Sequence, residues 1–72
     1  GIRNRLEHLY GLTRAEAEIT LQLARGDSLD TIAASRAVRL ETVRTQLRTV
    51  YRKTGTHRQG ELVFLVGVLG NG

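Results

Sequence analysis

Apolar residues recur along this chain at intervals of three and four, and the pattern is interrupted at Gly11, Gly26 and Gly55. Side chains with that spacing share one face of an α-helix, whereas the side chains of a strand alternate between two faces. The apolar run at residues 62–69 resembles a strand, but no second segment offers it a partner. The chain is therefore predicted to be all-α.

Five helices follow from this spacing and from local capping signals. A short N-terminal helix covers residues 2–10, and a second helix starts after Thr13, which forms a capping box with Glu16. Because the second helix is apolar on two sides, we expect the first helix to pack on its Ala17 and Leu21. The other three are a short helix capped by Ser28, a longer one at about residues 40–54, and a last one at about 58–69.

With 72 residues the chain has room for one small helical bundle, so residues 1–72 are predicted to form a single domain. It contains no methionine, and we expect it to be a piece of a longer protein. It has no cysteine, and neither His8 nor His57 stands at metal-ligand spacing from another ligand. No nucleophile, base and enclosed site occur together. We therefore predict no enzyme activity, metal or cofactor, and a cytoplasmic protein without a membrane span.

The positive charge of the chain is concentrated in one third of its length. The net charge is +4, and residues 36–58 hold seven basic residues against a single carboxylate, Glu41. A confined basic block is typical of phosphate binding, although an ordinary solvated helix face has the same composition. Glu16 is expected either to cap its own helix or to pair with a basic residue of this block.

The third and fourth predicted helices, joined by a tight turn near Ala37, form a helix-turn-helix. Ala33 supplies the small side chain needed where the two helices cross, and Val38 and Val43 are expected to lock them together. At 100° per residue, the side of the fourth helix opposite Val43 forms one outward ridge. Its members are Glu41, Thr45, Arg48 and Arg52, flanked by Thr42, Arg44, Thr49 and Lys53.

This ridge carries the groups that read and hold double-stranded DNA. Arginine can donate two hydrogen bonds to guanine, and threonine can contact a base edge or a thymine methyl group. Basic and hydroxyl side chains at its edges can reach phosphates. Glu41 could accept a hydrogen bond from cytosine or orient Arg44. Alternatively, it is simply a carboxylate stabilised by the positive end of the helix dipole. We predict that this helix enters the major groove; the alternative is a helix-turn-helix used as a protein-interaction or dimerisation module with an acidic partner.

From Leu12 to Leu62 the sequence resembles the DNA-binding domain of LuxR-type transcription regulators. The matching residues are Leu12-Thr13-Arg14-Ala15-Glu16-Ala17-Glu18-Ile19, Leu23-Ala24-Arg25-Gly26, Ser28, Ile32-Ala33, Val38, Thr42-Val43-Arg44 and Lys53-Thr54-Gly55. The resemblance departs from the family pattern at the turn. Ala37 stands where glycine is usual, and Arg39 stands where a serine or threonine usually caps the recognition helix.

The resemblance implies a four-helix domain over residues 12–69, to which the helix at residues 2–10 is an addition. It implies that the helix at about residues 40–54 reads DNA and that the last helix pairs two copies. Base contacts are implied for Arg44, Thr45 and Arg48. Phosphate contacts are implied for Ser28, Thr42, Arg52 and Lys53, and Arg39 is expected to touch a phosphate in place of capping.

The last predicted helix has apolar residues left over after one face is buried. Leu62 and Val66 belong to the inward face, whereas Phe64 and Val68 do not. An exposed apolar patch is unusual on a monomer. It predicts either a homodimer through Phe64 and Val68, which would bind an inverted repeat in DNA, or coverage by a missing part of the protein such as a sensory domain.

Overall fold

A computed structural model describes residues 1–71 and is all-helical over that range, which confirms the predicted small helical bundle. The helices are α1 (Ile2–Tyr10), α2 (Arg14–Ala24), α3 (Leu29–Arg36), α4 (Leu40–Thr54) and α5 (Gln59–Asn71). Helix α2 lies at the centre, because it packs against each of the other four. Over the described range, none of the helices has the length and apolar character that a membrane span requires.

The central helix α2 begins with the predicted capping box. The hydroxyl of Thr13 accepts a hydrogen bond from the backbone N–H of Glu16 at 3.1 Å, and the Glu16 carboxylate accepts from the N–H of Thr13 at 2.9 Å. The backbone N–H groups of Thr13 and Glu16, which have no partner within the helix, are thereby hydrogen-bonded. Further along α2, Ala17 and Ile19 are fully buried and Leu23 is nearly so. The capping box thus defines where α2 begins, and these buried side chains hold the helix in the core.

The short helix α1 completes the core and closes one end of the bundle. Its Leu6 is fully buried, and the helix packs against both α2 and α5. Ala17 and Leu21 of α2 belong to the same core, which confirms the predicted packing of α1. The guanidinium of Arg5 donates to the carbonyl of Leu69 at 2.6 Å. Helix α1 therefore stabilises the last turns of α5.

Helices α3 and α4 pack against each other across a three-residue turn, which is the connection that the helix-turn-helix prediction requires. Ala37 adopts the left-handed conformation, with φ 55° and ψ 42°, and the next N–H, of Val38, donates to the carbonyl of Ala33 at 3.0 Å. Ala33 and Val43 are buried as predicted. Val38 is 39% exposed and lies outside the core, so its predicted locking role is wrong.

Replacing Ala37 with glycine is expected to raise the free energy of unfolding by about 1 kcal/mol. A left-handed residue with a Cβ costs roughly 1–2 kcal/mol, and the greater freedom of glycine in the unfolded chain offsets part of the gain. The exposed Ala34 in α3 is the matched control, since Ala34→Gly should lower stability by about 1 kcal/mol. Urea unfolding followed by circular dichroism measures both, and equal destabilisation by the two changes would contradict the strain at Ala37.

Candidate nucleic-acid interface

Helix α4 places its buried and exposed side chains on opposite sides. Val43 and Val50 are fully buried and Leu47 is 5% exposed. The opposite side presents Glu41, Thr45, Arg48 and Arg52, all exposed, which we call the α4 ridge. Successive 100° steps place each of these four within about 40° of the point opposite Val43, so that together they span about 60° around the helix. The ridge is thus a narrow outward surface rather than a scattered set.

The arginines of the α4 ridge are not held by carboxylates. Among residues 1–71, the ion pairs involve other basic groups, those of Arg3, Arg14, Arg36, Lys53 and His57. Arg48 makes one local contact, a hydrogen bond from its Nη2 to the hydroxyl of Thr45 at 3.3 Å. That contact aligns the two side chains and leaves further N–H donors of the guanidinium free. Neither Arg44 nor Arg48 pairs with Glu41, so orientation of Arg44 by that carboxylate is not observed.

The N-terminal end of α4 carries two more predicted contact residues. Arg39 occupies the N-cap position with extended backbone and makes no side-chain capping bond, in agreement with the missing cap in the sequence. Thr42 is exposed in the first turn of the helix. At the start of α3, Ser28 is also exposed, and its hydroxyl accepts from the N–H of Thr31 at 3.1 Å. Ser28 is therefore confirmed as a cap, and its hydroxyl also donates to the hydroxyl of Thr31 at 2.9 Å.

Replacing Arg39 with serine is expected to raise the free energy of unfolding by about 1 kcal/mol. The backbone at this position, φ −76° and ψ 151°, nearly repeats that of the Ser28 cap at φ −73° and ψ 161°. A serine hydroxyl could therefore accept from an N–H in the first turn of α4, as Ser28 does in α3. Ser28→Ala is the reciprocal control and should cost a similar amount. Thermal unfolding measures both, and no gain from Arg39→Ser would mean that the α4 amides cannot be capped.

Lys53, a predicted phosphate contact, makes two contacts within the protein. Its ammonium lies 2.8 Å from the Glu16 carboxylate and 3.1 Å from the carbonyl oxygen of Gly11, and its side chain is only 24% exposed. The ammonium is thus engaged within the protein before any DNA is bound, and the phosphate contact of Lys53 stays a prediction. Burial raises the pKa of the Glu16 carboxyl, but the hydrogen bonds from Lys53 and from the N–H of Thr13 outweigh it and leave that pKa below its ordinary value. Lys53 therefore anchors the last turn of α4 to the start of α2.

Two residues beside the ridge were missed by sequence reasoning. Gln46 shares a shallow depression with Arg39, Thr42 and Thr45. A glutamine amide can pair with adenine. Gln46 lies one helical turn after Thr42, and this spacing indicates from the sequence that the two side chains are neighbours. On the other side, Tyr51 lines a second depression, together with Leu29, Glu41, Arg44, Leu47 and Arg48. Burial raises the pKa of the Tyr51 phenol, which therefore remains a neutral hydrogen-bonding group.

Helix α5 leaves an apolar surface uncovered. Leu62 and Val66 are buried, whereas Phe64 is 73% exposed and Val68 is 52% exposed. Phe64 and Val68 are one helical turn apart, so they share one face of the helix. The predicted exposure of both side chains is confirmed.

The described residues offer no group of three or more His, Cys, Asp and Glu side chains that could hold a metal ion. Comparison with known proteins adds no identification: no family model, no curated protein and no solved structure matches this chain. The function is therefore inferred from the geometry and chemistry of the residues themselves.

Proposed function

We propose that this domain binds double-stranded DNA sequence-specifically and belongs to a transcription regulator of the LuxR type. Helix α4 enters the major groove, and the domain works in the cytoplasm. The observation that carries the proposal is the α4 ridge, in which exposed arginines without carboxylate partners lie along the second helix of a helix-turn-helix. An α-helix fits the major groove, and a ridge of donors within it can reach base edges.

The exposed residues of α4 divide into two roles by position. Arg44, Thr45 and Arg48 are assigned to base edges, because they are exposed and lie near the middle of the length of α4. Contacts with phosphates are assigned to side chains toward the two ends of the helix and at the start of α3, namely Arg39, Thr42, Arg52 and Ser28. The bond from Arg48 to Thr45 supports this division, since it orders a guanidinium before any DNA is present.

A homodimer through Phe64 and Val68 is part of the proposal. Two copies that pair across this face of α5 would place two α4 helices on the halves of an inverted repeat. Sedimentation of the double variant Phe64→Glu, Val68→Glu tests the pairing. We expect the wild type to associate and the variant to remain monomeric. Unchanged association would remove these residues from the interface, and a monomeric wild type would favour coverage by another domain.

The DNA-binding proposal is tested by selecting bound sequences from random duplexes and then measuring variants on the selected site. Arg48→Ala should cost about 1–3 kcal/mol, concentrated on particular base pairs. Arg52→Ala should weaken binding to all duplexes alike. It should also reduce the steepness of log K against the logarithm of the salt concentration by about 0.9, which is the contribution of one phosphate contact.

Three results would count against the proposal or redefine it. Equal weakening of all sequences by Arg48→Ala would make Arg48 a phosphate contact rather than a base reader. A selection that yields no enriched sequence would leave only non-specific binding. No DNA binding at low salt would favour the protein-interaction module, in which the α4 ridge docks an acidic partner.

A further inference from the structure

A groove of about 660 Å³ lies between the start of α1, the second half of α2 and the end of α3. None of its lining residues belongs to α4, so it is separate from the α4 ridge. Its apolar part is formed by Ile2 and Leu21, both half-buried. Its charged part contains three arginines and one glutamate, namely Arg3, Arg25, Arg36 and Glu18. We call the groove, with its apolar and charged parts together, the arginine groove.

The single carboxylate that lines the arginine groove is already shared among three helices. Glu18 lies 3.2 Å from Arg36 of α3, 3.4 Å from Arg14 of α2 and 3.5 Å from Arg3 of α1. The hydrogen bonds from Arg36 and then Arg14 hold the pKa of the Glu18 carboxyl below its ordinary value, so it stays ionised and paired. Arg25 is exposed and has no ion-pair partner within residues 1–71. The charged wall is thus positive overall and retains unused guanidinium donors.

We propose that the arginine groove binds a short acidic peptide segment of a partner protein. Guanidinium groups form paired, charge-assisted hydrogen bonds with carboxylates, and Arg25 and Arg36 face the groove from two helices. Ile2 and Leu21 add an apolar surface on which a side chain next to the acidic residue can pack. A DNA backbone fits this surface less well, because it has no apolar side chain to pack on Ile2 and Leu21.

This proposal does not depend on DNA binding by α4, because the two surfaces share no residue. The probe is a short fluorescent peptide in which aspartate and leucine alternate, and its control has asparagine in place of each aspartate. We expect the acidic peptide to bind the full chain and the control to bind at least about tenfold more weakly. In amide NMR spectra of the chain, the acidic peptide should shift residues 18–25 and leave the α4 ridge unchanged.

Two charge reversals locate the binding. Arg25→Glu should weaken the acidic peptide about tenfold, whereas Arg52→Glu, which changes the net charge equally but on α4, should weaken it less than about twofold. Both side chains are exposed and lack ion pairs within the described chain, and circular dichroism verifies that each variant is folded. Equal weakening by both would mean non-specific attraction and would overturn the proposal. Loss of duplex DNA binding in Arg25→Glu with the peptide unaffected would overturn it too, by making the groove a nucleic-acid surface.

Discussion

Replacing Glu16 with alanine is expected to lower the free energy of unfolding by about 2–3 kcal/mol. The change removes half of the capping box, worth about 1 kcal/mol. It also leaves the Lys53 ammonium with only the Gly11 carbonyl as a partner. Breaking a fully buried pair costs about 3–5 kcal/mol, and the cost here is nearer 1–2 kcal/mol because the Lys53 side chain is 24% exposed.

Urea unfolding at neutral pH measures this loss, and Glu41→Ala is the matched control. Glu41 also lies in the first turn of a helix, but it is exposed and has no ion pair within residues 1–71. Its replacement should change stability by less than about 0.5 kcal/mol. Equal effects of the two substitutions would contradict the role assigned to the contact between Glu16 and Lys53.

The stabilisation from Glu16 should also depend on pH in a defined direction. Its pKa in the folded protein lies below the ordinary value of 4.5, so its contribution is complete at neutral pH. It is lost as the pH falls from about 4.5 through the folded-state pKa. Glu16→Gln resembles the protonated carboxyl, so its deficit relative to the wild type should shrink over that range. A deficit that is constant with pH would mean that the charge of Glu16 is unimportant.

The double variant Arg44→Ala, Arg48→Ala is expected to lose about 4 kcal/mol of binding free energy on the selected duplex, roughly a thousandfold in Kd. Each guanidinium would otherwise make a paired contact with a base edge, and no carboxylate within residues 1–71 competes for it. The loss should be much smaller on an unselected duplex, where only phosphate contacts contribute. Fluorescence anisotropy at one fixed salt concentration measures both.

The control for this variant is Arg14→Ala, Arg25→Ala, which removes the same charge from the first residue and the C-cap of α2. Both arginines are exposed and lie outside α4. We expect this control to weaken DNA binding less than about tenfold, through long-range attraction that salt screens. Similar losses in the two double variants would mean that net charge, rather than the α4 ridge, determines affinity.

Local features of the structure were predictable from the sequence because their causes are local. The capping box of Thr13 and Glu16 spans one helical turn, and the spacing around Val43 is enough to define the exposed side of α4. These depend on the helical repeat and on hydrogen bonds between near neighbours. The all-helical bundle and the exposure of Phe64 follow from the same repeat.

Features that depend on the packing of distant segments were not predictable. Glu16 was expected to cap its helix or to pair with the basic block, and it does both, but only the fold selects Lys53 as its partner, 37 residues away. That contact leaves the Lys53 side chain 24% exposed and engages its ammonium within the protein. Val38, the residue after the left-handed Ala37, is 39% exposed, and the spacing of apolar residues did not indicate this. The arginine groove likewise requires three helices to meet.

The contact between the first and last helices has a consequence for the connectivity of the chain. A methyl group of Ile2 lies only 3.2 Å from where a Cβ on Gly70 would stand, so the two ends of the described chain are neighbours. A short glycine linker could therefore join them with little loop-closure entropy, and new ends could be opened at the exposed Gly55. We expect the helices of such a permuted chain to pack in the same way, although they are synthesised in a different order.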